Sequence, residues 1–123
     1  MRPLAISNHS LCSAVGDGRL ATLRALRERR SGLRRNDFGA APLATWIGRV
    51  AGLEEQPLPP QLARWDCRNN RLAWRGLLAD GFVDAVAAAR ERHGPDRIAV
   101  VVGTSTSSIG ASEDAYRDRK SVV

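Results

Sequence analysis

"RIAVVVG", residues 97–103, carries five consecutive apolar residues with no polar alternation. A run of that kind predicts a strand buried on both faces, as in a parallel sheet, rather than an edge exposed to water. Gly94 and Pro95 stand just before it and end whatever precedes. Upstream lies "CRNNRLAWRGLLADGFVDAVAAARERHG", residues 67–94. Its apolar spacing predicts one long helix, with Trp74, Leu78, Val86 and Ala89 on one side and Leu77, Phe82 and Ala85 beside them. Asn69 or Asn70 is its expected cap. Gly81 inside it costs about 1 kcal/mol against alanine, which points to close packing or a kink there.

Working outward, "PLAIS" at 3–7 suits a short strand and "SAVGDG" at 13–18 a turn. Asp17 or Gly18 then starts a helix reaching about Arg30. Leu20, Leu23 and Leu26 form its apolar stripe, and Gly32 is placed to close it in a left-handed conformation. "ATWIGRV" at 44–50 suits another strand. "EEQPLPPQL" at 54–62 is too rich in proline for either element. The order of strand, helix, irregular section, helix, strand argues for an α/β fold with a parallel sheet. Two helices cannot cover both faces of such a sheet, so the expectation is an incomplete sheet with covering helices, the opening part of a larger domain.

The chain has 123 residues, and 43% are apolar, enough for one small core. It contains no apolar run near the ~20 residues of a membrane span and no apolar segment of the secretory type near its start. Cys12 and Cys67 form neither a disulfide framework nor a CxxC pair, and are expected to be reduced thiols in a cytoplasmic protein. The net charge is +6, nearly all from arginine, with Lys120 the sole lysine. "LRALRERRSGLRR", residues 23–35, is the densest basic stretch. It reads as a solvated helix face, with nucleic acid or an acidic partner as the functional alternative. The six aromatics do not alternate with arginine as they do in RNA-binding sheets.

Catalytic motifs are scarce. Gly103 and the following "TSTSSIG" resemble a phosphate-cradling loop, but no lysine follows Gly110, as a P-loop requires. "GTSTS" lacks the second glycine of a nucleophile elbow. His9 and His93 begin no metal motif, and Asp80 and Asp84 are expected to be solvated carboxylates. Neither a metal nor another cofactor is implied.

Several pieces in order resemble the N-terminal portion of a β-ketoacyl-[acyl-carrier-protein] synthase, a condensing enzyme of the thiolase fold. That family runs from its first strand into T-G-x-G-x-V-S-x-x-G and then a helix ending in R-S-G. Here "SNHSLCSAVG" at 7–16 keeps Ser13 and Gly16, and "RSGL" at 30–33 matches the helix end. Asn8 and Ser10 replace two of the family's glycines. "WIGRV", the arginine-rich entry "CRNNRLAW" and "VVVGTSTSSIGASEDAYR" follow in the family's order. "RNNR" with "GTSTS" is closest to ketosynthases of aryl polyene pathways.

The resemblance implies a thiolase-like α/β fold over residues 1–117 and decarboxylative Claisen condensation by the whole enzyme. It implies an acyl carrier protein as partner, a homodimer or heterodimer of ketosynthase subunits, and neither nucleic acid nor a membrane. The family's cysteine nucleophile and two histidines match no residue here, so no catalytic residue is carried over and the chain alone is expected to be inactive. Thr104, Ser105, Thr106 and Ser107 fall on a loop that lines the acyl pocket or dimer interface in the family. "DRKSVV" at 118–123 reads as a translated sequencing adapter, so the natural sequence is expected to end near Arg117 within a longer gene. The alternatives are a non-catalytic chain-length-factor-like subunit of the same fold and a small basic nucleic-acid-binding protein.

Overall fold

The computed structural model describes residues 5–39, 43–103 and 109–120. Its architecture is mixed α/β, with four α-helices and two separate two-stranded antiparallel sheets among the described residues. The first sheet pairs β1 (Cys12–Ser13) with β2 (Gly16–Asp17) around Ala14 and Val15. The expected turn at 13–18 is therefore a tight hairpin. It feeds directly into α1 (Gly18–Arg27). The second sheet pairs β3 (Leu33–Arg35) with β4 (Trp46–Gly48), Leu33 lying opposite Gly48 and Arg35 opposite Trp46. β4 is the strand expected from "ATWIGRV".

α1 begins where the Asp17–Gly18 signal places it, but its inward face is not the leucine stripe. Gly18 and Ala25 are buried, and Ala21 and Thr22 are half-buried. Leu20 is 78% exposed and Leu26 69% exposed. The small side chains at 18, 21, 22 and 25 let the helix lie close against the hairpin. A Cβ on Gly16 would come within 2.7 Å of the Ala21 methyl. The leucines, three residues apart, are left on the outer side.

The end of α1 departs from expectation as well. Arg29 N–H donates to Leu26 O at 3.1 Å and Arg30 N–H to Ala25 O at 2.8 Å, the paired bonds of a Schellman end. The left-handed residue this motif needs is Arg29, at φ 52°, not Gly32. Gly32 has a different job. A Cβ there would meet the Ala14 carbonyl carbon and oxygen at 2.7 Å and Val15 Cγ1 at 2.9 Å. The hairpin tip rests on bare backbone at that point.

The helix expected over 67–94 is two helices. α2 (Arg68–Leu78) and α3 (Phe82–His93) flank a single 3₁₀ turn at Ala79–Gly81. Asp80 (φ 58°) and Gly81 (φ 65°) both take left-handed backbone, which breaks the helical hydrogen-bond ladder. The sequence points to the interruption through Gly81, but gives no reason for Asp80. Neither expected asparagine caps α2. Cys67 stands at the cap position without a side-chain bond, and Asn70 Nδ2 donates back to Trp65 O at 2.7 Å. Gly94 (φ 83°) closes α3 as expected.

Residues 98–103 form no strand, contrary to the reading of "RIAVVVG". Pro95–Arg97 make one 3₁₀ turn, and the chain then continues without regular structure to Gly103. Val101 is 90% exposed. Valine-rich segments prefer strands only where neighbours supply a ladder and a packing surface. β1 to β4 are committed to their own pairs, so this segment has none among the described residues. Residues 5–7 likewise carry no regular structure, and Pro3 and Leu4 lie outside the described residues. α4 (Ile109–Lys120) ends the described chain.

Among the described residues the buried apolar side chains are few: Ala25, Val50, Leu53 and Leu58. Three of these come from the loop after β4, which is fastened by arginines from α2. Arg71 forks onto Asp66 through Nε and Nη2, both at 2.6 Å, and donates through Nη1 to Glu54 O at 2.7 Å. Asp66 in turn accepts from Leu58 N–H at 3.3 Å. No helix among the described residues is long and apolar enough to cross a membrane.

Candidate functional site

The site residues expected from the sequence, Thr104, Ser105, Thr106 and Ser107, lie outside the described residues. His9 is exposed beside Asn8, and His93 is exposed in the last turn of α3. The structure does not bring either histidine to a cysteine, and no group of three or more metal-ligating side chains exists among the described residues. The chemistry-bearing residues that do converge are of two kinds.

The first cluster joins the β1–β2 hairpin to α2. Cys12 Sγ donates to Asp17 Oδ1 at 2.8 Å. Asp17 Oδ2 accepts from Arg75 Nε at 2.8 Å, and Arg75 Nη1 donates to Ala51 O at 2.5 Å. Burial is the main influence on the Cys12 thiol. With the Asp17 carboxylate beside it, burial pushes the thiol up to about 12, and Arg75 opposes this only weakly. A thiolate nucleophile needs the reverse environment. Cys12 is thus a structural donor.

At pH 8, iodoacetamide is expected to alkylate Cys12 about a thousand-fold more slowly than an unperturbed cysteine, because the thiolate fraction sets the rate. Peptide mass mapping reads this directly. Asp17→Asn should accelerate the reaction, since it removes the carboxylate and leaves the Arg75 charge. A fast reaction of the unaltered protein at Cys12 would refute the assignment. The same shift has a stability consequence. Folding favours the neutral thiol, so the gain is complete below pH ~9 and is lost as pH rises towards about 12.

Near this cluster, Asp80 reaches from the α2–α3 break to the start of α1. Its two carboxylate oxygens accept Arg19 N–H at 3.1 and 2.9 Å, and Arg19 Nε lies 3.7 Å from Oδ1. Asp17, the residue before α1, makes no capping bond of its own because it is bound to Cys12 and Arg75. Asp80 therefore serves as a cap contributed from another element. This corrects the reading of Asp80 as a solvated carboxylate. Asp84 is exposed as expected.

The second cluster surrounds Phe38. Arg49 and Arg68 place their guanidiniums 5.8 and 5.1 Å from its ring centre. Arg68 Nε donates to Glu54 Oε1 at 2.9 Å, and Arg49 Nη1 to Asp37 Oδ1 at 3.2 Å. Arg34 also pairs with Asp37. These arginines hold the Asp37 and Glu54 carboxyls below the usual carboxylate range, Arg34 acting most on Asp37 and Arg68 on Glu54. Arg71 does the same for Asp66. Lowered carboxyls stabilise the fold fully above their ordinary range, and that contribution is lost as pH falls below it and through the lowered values of the folded state. Residues 38, 49 and 68 are too far apart in the chain for their juxtaposition to be legible in it. The surplus of arginine was the only sign.

No family model, curated protein or solved structure matches this chain.

Proposed function

We propose that the chain is the front section of a β-ketoacyl-[acyl-carrier-protein] synthase of the thiolase fold, inactive by itself. The observation that carries this reading is apolar surface left uncovered. α1 buries its small residues and exposes Leu20, Leu23 and Leu26, while Val100, Val101 and Val102 stand open to water. Apolar faces left open in this way fit a chain that is covered by further polypeptide. The motif order from "SNHSLCSAVG" through "RSGL" to "VVVGTSTS" supplies the family.

In this reading the whole enzyme receives an acyl group from an acidic carrier protein onto a cysteine thiolate. A malonyl thioester then loses CO₂, and the resulting enolate attacks the acyl carbon. Neither the cysteine nor its two histidines is among the present residues. The exposed arginines of α1, Arg24 and Arg27, suit an acidic partner.

The test is the gene. The expected result is codons GAT CGG AAG AGC GTC GTG at 118–123 of the sequenced insert. The intact gene should then continue beyond Arg117 to a cysteine and two histidines. A natural gene that encodes Asp118–Val123 with other codons and then stops overturns the proposal. A continuing gene without the cysteine supports the fold and assigns the chain to the non-catalytic partner subunit instead.

A further inference from the structure

Two helices turn outward faces of opposite sign. On α1, Leu20, Leu23, Arg24 and Arg27 line one groove together with Glu28. The first four stand at i, i+3, i+4 and i+7, the corners of the hole into which a facing helix sets a side chain. All four are exposed. Glu28 is engaged by Arg30 at 3.6 Å, whereas Arg24 and Arg27 make no ion pair among the described residues. On α3, the half-buried residues are Phe82, Ala85, Val86 and Ala89, and Val83, Asp84, Ala87, Ala88 and Glu91 are exposed. At 3.6 residues per turn these five fall on one side of the helix, with Arg90 and Arg92 about 100° to either side of Glu91. Asp84 and Glu91 also make no ion pair among the described residues.

We propose that α1 of one copy of the chain docks against α3 of a second copy, with Val83 and Ala87 over the α1 groove and Asp84 and Glu91 beside Arg24 and Arg27. Charge selects this occupant. The α1 groove offers two free cations around an apolar hole, and α3 offers two free carboxylates around an apolar pair. Docking α1 on α1 would set arginine against arginine. α4 also exposes acidic residues, but Arg117 holds Asp114 at 2.8 Å, and the helix carries Arg119 and Lys120 as well. An anionic bilayer would match α1 alone and leave the face of α3 unused. Each copy presents both faces, so the contact is heterologous and repeats in reciprocal fashion where the two copies close on a two-fold axis. Two helix faces bury little. Interfaces under about 1,200 Å² are weak and transient, so the association is reversible and salt opposes it. The inference goes beyond the ketosynthase reading and does not rest on it.

The experiment is sedimentation equilibrium of the full chain over a concentration series. The expected result is a weight-average mass that rises with concentration at low salt, and an association constant that falls several-fold at about 1 M salt, where the screening length is ~3 Å. Arg24→Glu with Arg27→Glu should weaken self-association at least about tenfold, and so should Asp84→Arg with Glu91→Arg, since each change sets like charges against one another. All four side chains are exposed, so the helical circular dichroism signal of each variant should match that of the unaltered chain. An equimolar mixture of the two variants should recover the original affinity to within about threefold, because both α1–α3 contacts of the mixed pair again join opposite charges. A mixture that associates no better than either variant alone would overturn the proposal. So would a monomer at every concentration in low salt. Self-association that both variants retain undiminished would overturn it too, and would place the contact on the exposed Val100, Val101 and Val102 instead.

Discussion

Gly32→Ala is expected to destabilise the fold by about 3 kcal/mol, at the upper end of what one added methyl group costs in a filled site. The reason is the nature of the neighbour. The new Cβ would stand 2.7 Å from both the carbon and the oxygen of the Ala14 carbonyl. A flexible side chain can swing aside, but a carbonyl in the tip of a two-residue hairpin moves only with the hairpin. That hairpin carries Cys12 and Asp17, and through Asp17 it holds Arg75. Displacing it therefore loosens α2 as well as β1 and β2. Urea titration followed by the helical circular dichroism signal measures the change. Gly103→Ala is the control, since a Cβ there meets no atom within 4 Å and the backbone is not left-handed. Near-identical midpoints for the two variants would show that the close approach at Gly32 carries no energy.

The second large effect is expected at Asp80. Asp80→Ala removes the carboxylate that satisfies the Arg19 N–H at the start of α1. Losing a cap costs about 1 kcal/mol, and up to about 2 in tight cases. Alanine at φ 58° adds a further ~1 kcal/mol, because it lacks the short polar side chain that makes the left-handed region accessible to aspartate and asparagine. The expected total is about 2 to 3 kcal/mol. Three variants separate the two parts. Asp80→Gly loses the cap but relieves the backbone, so it should cost less than alanine. Asp80→Asn tolerates the left-handed conformation and keeps an acceptor oxygen, so it should cost least. The same urea titration gives the order. If glycine proves as costly as alanine, the backbone term is absent. If asparagine proves as costly as alanine, the cap is not what Asp80 supplies.

Asp80 also shows where the chain resists reading from its sequence. The helical pattern over 67–94 is plain, and Gly81 marks a weak point. Nothing local explains a left-handed aspartate. Its cause lies 61 residues away, where the first turn of α1 has lost its own neighbour Asp17 to Cys12 and Arg75. α1 itself is legible at its start, since Asp17–Gly18 is a local signal. Its orientation is not. Leucine periodicity reports which residues want burial, and here the face with the smaller side chains wins the inward position because it allows the hairpin to approach closely. The valine run at 98–102 misleads for the same reason in reverse. Strand preference is local, whereas a strand is a relation between segments. The cluster around Phe38 depends on Arg34 of β3, Arg49 and Glu54 after β4 and Arg68 of α2, and linear spacing holds no trace of it.

Ala14 lies against both Gly48 in β4 and Gly32 just before β3. A Cβ on Gly48 would come within 3.0 Å of the Ala14 methyl, and the Ala14 carbonyl covers Gly32. Gly48 belongs to β4 and faces Leu33, the residue after Gly32, across the ladder. The seat for Ala14 is therefore complete only where those two distant stretches are paired. The two small sheets are coupled through a single alanine: parting β3 from β4 would take away half of the surface on which the tip of the first hairpin rests.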